Sequence, residues 1–229
     1  MRADESGRGP IVCLVTDRRR LCAACDPRQA LDCLVAQARE AVAAGVDLLQ
    51  IREPDLEAAP LTALAARVVE IARGTATRVV VNDRLDVAIA AGAAGVHLRA
   101  DSVSPEAARR LAPAGFLVGR SVHSVDEART ARAADYLIAG TVFPSASKPE
   151  VSRSLGESGL AAVARAVETP ILAIGGVALD TVARVAAAGA AGFAAIGFFL
   201  GGGAPCRAAP LGSLVAEARA RFDSVKTAP

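Results

Sequence analysis

Short apolar runs alternate along this chain with longer stretches whose apolar residues recur at helical spacing. Four of the runs share one lead-in of small residues: Ala44-Gly45-Val46-Asp47-Leu48-Leu49-Gln50, Ala94-Gly95-Val96-His97-Leu98, Ala133-Ala134-Asp135-Tyr136-Leu137-Ile138-Ala139 and Ala191-Gly192-Phe193-Ala194-Ala195-Ile196. They recur roughly every 40 to 60 residues, which is room for two strand–helix units per period. In each, a helix ends, a small residue turns the chain and a buried parallel strand begins. Four more runs fit between them: residues 11–15; residues 78–81, ending at Asn82-Asp83; residues 116–118, ending at Gly119; and residues 171–174, ending at Gly175-Gly176. That predicts eight strands.

The segments between them read as helices. Residues 30–43 put Leu31, Leu34, Ala38 and Ala41 on one face, and residues 61–72 repeat the pattern through Leu64, Val68 and Ile71. Ser104 followed by Pro105 is an N-cap with proline in the first turn. Asp180 is expected to start the next-to-last helix, and residues 210–222 close the chain. Eight alternations of strand and helix predict a single (β/α)8 TIM barrel over residues 11–222, after a flexible tail at residues 1–10. An open doubly wound sheet is the alternative, but Thr16-Asp17-Arg18 stands where its glycine-rich fingerprint would follow the first strand.

Composition narrows the function. Of 229 residues, 52% are hydrophobic, enough for a large core and against disorder. The net charge of +2, with one tyrosine and no tryptophan, gives no electrostatic or stacking platform for nucleic acid. Residues 185–206 carry no charge, but six glycines and a proline make them a helix end, a strand and a glycine-rich loop rather than a membrane span. The polar first ten residues hold no secretory signal, so the expectation is cytoplasmic. Five cysteines, an odd count, then read as reduced thiols. Cys22-Ala-Ala-Cys25 lacks the second pair, or the histidines, that a zinc site normally adds.

In such a barrel the chemistry gathers at the C-terminal ends of the strands. Standing there are Gln50, Arg52 and Glu53 after strand 2, and Asn82, Asp83 and Arg84 after strand 3. His97 lies near the end of strand 4, and Arg120, Ser121 and His123 follow strand 5. Thr141, Ser145, Ser147 and Lys148 follow strand 6. Both histidines of the chain fall on this rim. His123 is a candidate general acid/base, whereas His97, in an apolar run, reads as structural. Gly175 and Gly176 after strand 7, with Ile196 and Gly197 after strand 8, suit a phosphate, because glycine lets backbone N–H groups approach an anion and a helix N-terminus adds its dipole. Arg52 and Lys148 are candidate anion contacts. Asp83 is a possible magnesium ligand, with Asp101 the nearest candidate partner.

Together, Gln50-Ile51-Arg52-Glu53, Val81-Asn82-Asp83-Arg84, Gly95-Val96-His97-Leu98, Val142-Phe143-Pro144-Ser145-Ala146-Ser147-Lys148 and Ala173-Ile174-Gly175-Gly176-Val177 resemble the thiamine phosphate synthase/TenI superfamily, over about residues 11–200. The resemblance implies a (β/α)8 barrel and a thiazole phosphate ligand. It offers two activities. The synthase joins a pyrimidine diphosphate to the thiazole phosphate with magnesium on the diphosphate. Its pattern has a lysine where Pro54 stands and a metal-binding acid where Ser102 stands. The TenI-type tautomerase moves a proton on a thiazole carboxylate phosphate and needs neither diphosphate nor metal. Its serine–valine–histidine–serine pattern matches Ser121-Val122-His123-Ser124. The departures favour the tautomerase, a cofactor-free isomerase with His123 as the proton carrier. Gln50, Arg52, Asn82, Ser121, Ser145, Ser147 and Lys148 would then hold the substrate. The synthase, with Asp83 and Asp101 sharing magnesium, is the alternative, and a catalytically silent thiazole- or thiamine-phosphate-binding regulator the third reading. The expected partner is the small-molecule substrate, with neither nucleic acid nor membrane. Ala-rich helices offer a face for a homodimer.

Overall fold

In the computed structural model, eight parallel strands close into one barrel in chain order. The structure describes residues 9–144, 154–200 and 210–226. The strands are β1 (Ile11–Val15), β2 (Leu48–Ile51), β3 (Arg78–Asn82), β4 (Gly95–Leu98), β5 (Leu117–Val122), β6 (Tyr136–Gly140), β7 (Ile171–Ile174) and β8 (Gly192–Ala195), and β8 pairs back onto β1. Around them run α1 (Arg18–Leu21), α2 (Pro27–Ala43), α3 (Ala58–Ala72), α4 (Leu85–Ala90), α5 (Pro105–Leu111), α6 (Val125–Thr130), α7 (Gly156–Ala166), α8 (Val182–Ala187) and α9 (Gly212–Lys226), with a short 3-10 turn at Gly197–Phe199. The predicted (β/α)8 barrel is therefore the fold.

Local chemistry sets the boundaries. α2 starts three residues earlier than its apolar face implies, because Asp26 caps it and exchanges bonds with Gln29 in a capping box, with Pro27 in the first turn. Ser104 caps α5 as expected, its hydroxyl accepting from the Ala107 N–H at 3.2 Å. α8 begins at Val182, two residues beyond Asp180, and Thr181 takes the cap position. The repeat in the sequence has a structural counterpart. Asp47 and Asp135 occupy matching places before β2 and β6, and each accepts the N–H of the preceding strand, from Val12 and Val118, at 2.8 Å. Each also pairs with an arginine, Arg219 at 2.7 Å and Arg109 at 2.6 Å.

Alternate strand residues face two different cores. Outward side chains such as Val12, Leu49, Val81, Val96 and Phe193 pack beneath the helices, and inward ones such as Cys13, Leu48, Val80, Leu117, Tyr136, Ile138 and Leu172 fill the barrel. With few aromatics, the interior is filled by branched aliphatics around one tyrosine. That tyrosine corrects a predicted boundary. The sequence reading ended strand 5 at Gly119, yet β5 continues to Val122. Gly119 is an inward position whose missing side chain leaves space for the Tyr136 ring, and a Cβ there would stand 2.5 Å from the Tyr136 hydroxyl oxygen. Gly119→Ala should destabilise the barrel by ~1–3 kcal/mol through overpacking, read as a lower urea midpoint at unchanged m-value. An unchanged midpoint would contradict this packing.

Candidate active site

The upper end of the barrel interior is polar where the lower layers are apolar. Gln50 at the end of β2 is buried and donates through Nε2 to Asn82 Oδ1 at 2.9 Å. His97 of β4 is also buried, and its Nε2 meets Ser121 Oγ of β5 at 2.9 Å. Four strands thus present a row of two amide and two hydroxyl–imidazole partners, each positioned by the inward register of its strand. Burial lowers the His97 pKa to about 3, so its ring is neutral over the working range. Its ring stacks on Tyr136 at 5.6 Å between centroids. Gln50 Oε1, His97 Nδ1 and the Tyr136 hydroxyl are buried without a hydrogen-bond partner among the described residues. Buried polar atoms left open in this way are a cost to folding and a resource for a ligand that can pair with them.

Around this row the loops are braced by ion pairs. Arg52 donates its backbone N–H to Thr16 Oγ1 at 2.9 Å, which joins the β1 and β2 loops. Beside it, the buried Arg18 guanidinium meets Glu53 Oε2 at 2.7 Å and also Asp55. Burial pushes the Glu53 carboxyl upward while Arg18 pulls it down. The hydrogen bonds from Arg18 hold the more open Asp55 at about 2. Glu53 therefore braces the rim from beneath. Asp83 adopts a left-handed backbone with φ of 63°, its N–H donating to the His97 carbonyl at 2.8 Å. Aspartate, with its short polar side chain, tolerates that conformation better than most residues. Its Oδ1 lies 3.5 Å from the Arg99 amide nitrogen. Arg120, whose role is not legible in the sequence, donates to the carbonyls of Ala100 at 2.7 Å and Val103 at 2.5 Å, so it clamps the loop after β4.

The predicted residues do not all converge. Gln50, Asn82 and Ser121 join the polar row, and Arg52 and Asp83 stand beside it. Asp101 is largely exposed and its carboxylate is taken by Arg99, so the expected Asp83–Asp101 magnesium pair is not formed. His123 lies past the end of β5 and is exposed, with Nδ1 3.2 Å from Glu127 Oε2 on the next helix. Gly175 and Gly176 have φ of 97° and 63°, and a Cβ on Gly176 would stand 2.5 Å from the Pro144 carbonyl oxygen. Only glycine fits this turn. α8 begins at Val182, six residues beyond Gly176. Ile196 and Gly197 form the entry to the 3-10 turn, and Gln37 of α2 fixes that turn by donating to the Phe199 carbonyl at 2.9 Å. Ser145, Ser147 and Lys148 lie outside the described residues, as does Cys206.

The sequence reading missed Thr16, Arg18 and Tyr136. Only the alternation of inward positions on β6 signals Tyr136, and nothing local signals the Arg18 pairing across 35 residues. The cysteines also differ from expectation. Cys22 and Cys25 form a disulfide rather than two thiols, with Cα atoms 5.4 Å apart, inside the range such a bond spans. No described helix is long and apolar enough to cross a membrane.

Fold and rim define a parallel eightfold barrel with a polar row at the carboxyl ends of its strands. The chain belongs to the thiamine monophosphate synthase family, whose model matches residues 21–198. It is 45% identical to a thiamine-phosphate synthase of Anaeromyxobacter dehalogenans over 76% of this chain and 79% of that protein. It is 36% identical to that of Roseiflexus castenholzii over 86% and 83%. Among solved structures, thiamine phosphate pyrophosphorylase from Pyrococcus furiosus superposes with a TM-score of 0.76 at 30% identity, covering 93% of this chain and 96% of that one. These relatives overturn the tautomerase reading, and with it the isomerase assignment and the proton-carrier role given to His123. The departures at Pro54 and Ser102, which favoured that reading, are local changes in a chain that otherwise follows synthases.

Proposed function

We propose that this protein is a thiamine phosphate synthase, a transferase that joins hydroxymethylpyrimidine diphosphate to thiazole phosphate. The observation that carries the reading is the naming of relatives 36–45% identical over most of the chain as synthases. In the reaction, the bond from the pyrimidine methylene to diphosphate breaks and a bond from that carbon to the thiazole nitrogen forms. The substrates must therefore lie in line, with the diphosphate's charge balanced as it leaves.

The rim supplies groups for this. Gln50, locked by Asn82, keeps Oε1 open to accept from a substrate N–H. The neutral His97 holds Ser121 at the floor of the site. Arg52, with its backbone anchored by Thr16, is the candidate diphosphate contact on this side, and Lys148 is proposed from the sequence as its counterpart. Gly175, Gly176, Ile196 and Gly197 are proposed for the thiazole phosphate, through backbone N–H groups. Magnesium commonly takes one or two carboxylates with substrate phosphates. Asp83 fits as the single carboxylate, while Asp101 would have to leave Arg99. Bound there, magnesium would supply charge neutralisation for the departing diphosphate.

Purified protein given both substrates and magnesium should form thiamine phosphate, and chelation should abolish the product. The synthase of Anaeromyxobacter dehalogenans serves as positive control. A blank result beside an active control would sink the proposal and leave a barrel that only binds.

A further inference from the structure

In the segment that follows β1, at the end of α1 and the start of α2, three cysteine sulfurs converge. Cys22 ends α1, Cys25 follows in a tight turn, and Cys33 projects from α2. Their Sγ atoms all lie within 4.8 Å of one another. Cys22 and Cys33 are buried and Cys25 is partly exposed, so the cluster has a closed side and an accessible one. The turn that brings Cys22 and Cys25 together is closed by the Cys25 N–H donating to the Cys22 carbonyl at 3.2 Å. The third sulfur, from a neighbouring helix, thus stands at ligand range of the two that are bonded to each other.

We propose that reduced Cys22, Cys25 and Cys33 form a trithiolate site for a soft, filled-shell metal ion, zinc(II) or copper(I). Soft thiolates select such ions over magnesium. Two ligands with two residues between them on a turn and a third from a neighbouring helix match the way zinc sites are assembled in proteins. Zinc would keep a fourth position for water, on the side where Cys25 is accessible. The Cys22–Cys25 disulfide is the oxidised, metal-free form of the same site. Opening it takes two electrons and two protons, which a phosphine and water supply as the phosphine becomes its oxide. Three thiols then bind zinc and release three protons. Its test does not depend on the proposed synthase activity.

The test uses the full-length protein, reduced with a phosphine, freed of reductant under nitrogen and titrated with zinc against a chromophoric chelator. One zinc should bind per chain, and air-oxidised protein should bind none. Cys33→Ser should weaken binding at least about tenfold, while Cys206→Ser leaves it unchanged. Cobalt(II) in place of zinc gives a thiolate-to-metal charge-transfer band whose intensity counts the sulfurs, so the wild type alone should report three. No stoichiometric binding, a band for two sulfurs, or equal affinity in Cys33→Ser would each overturn the proposal.

Discussion

Asp83→Asn should lower the rate of thiamine phosphate formation by roughly 10²-fold or more, the loss typical of removing one group that stabilises developing charge. The substitution is chosen for its backbone. Asp83 sits at φ of 63°, and asparagine tolerates the left-handed region about as well as aspartate, so the loop should keep its shape. What changes is one negative charge and its affinity for a hard cation. If Asp83 holds magnesium, the variant needs a higher magnesium concentration for half-maximal rate. Asp101→Asn should behave differently. Its carboxylate is exposed and already committed to Arg99, so removing the charge should change the rate only a few-fold. Steady-state rates across a magnesium series, taken on both variants, check this. Equal losses in the two would mean that Asp101 leaves Arg99 to complete a metal pair. Unchanged activity in Asp83→Asn would remove Asp83 from the chemistry.

Arg18→Met should cost about 3–5 kcal/mol of stability, because it strands a buried carboxylate without its cation. Glu53 is only 4% exposed and Arg18 6%, so neither finds water in place of the other. The sign of the pH effect follows. Burial already raises the Glu53 carboxyl, and Arg18 is the chief opposing influence. Without Arg18 the folded-state value rises further above that of the unfolded chain. The folded form then binds the extra proton, so stability is retained at low pH and lost as pH rises through the folded value. Asp55 contributes with the opposite sign in the wild type. Held at about 2 by Arg18, it adds stability above its ordinary value near 3.8, and that is lost as pH falls toward 2. Urea unfolding of Arg18→Met at pH 5 and pH 8 should therefore show the larger deficit at pH 8. Adding Glu53→Gln should recover much of it by removing the stranded charge. A deficit equal at both pH values, with no recovery in the double variant, would place the loss in packing.

Much of the site is legible because a barrel turns sequence order into position. Once strand ends are known, Gln50, Asn82, Ser121 and Gly175 must stand on one rim. The error over activity has a physical origin as well. Pro54 and Ser102 suggest a lost diphosphate contact and a lost metal ligand, but they are two positions in a chain whose relatives are synthases. A single carboxylate at Asp83 can still serve a hard ion that takes its other oxygens from substrate. His123 drew attention because histidine titrates near neutrality, but nothing in sequence reveals that it lies exposed beside Glu127 rather than in the polar row.

The sequence by itself determined the number and order of strands, the helix between each pair, and the Ser104 cap with Pro105 in the first turn. These depend on periodicity and on bonds spanning a few residues. Only the tertiary structure decided where β5 ends, since Gly119 is a strand residue solely because the Tyr136 ring fills its place. It also decided that Arg18 is buried against Glu53, that Asp101 belongs to Arg99, and that Cys33 joins a pair eight residues behind it. Whether a polar side chain becomes a brace, a ligand or a surface group depends on which partner the closed barrel brings within about 3 Å of it, and chain order does not record that distance.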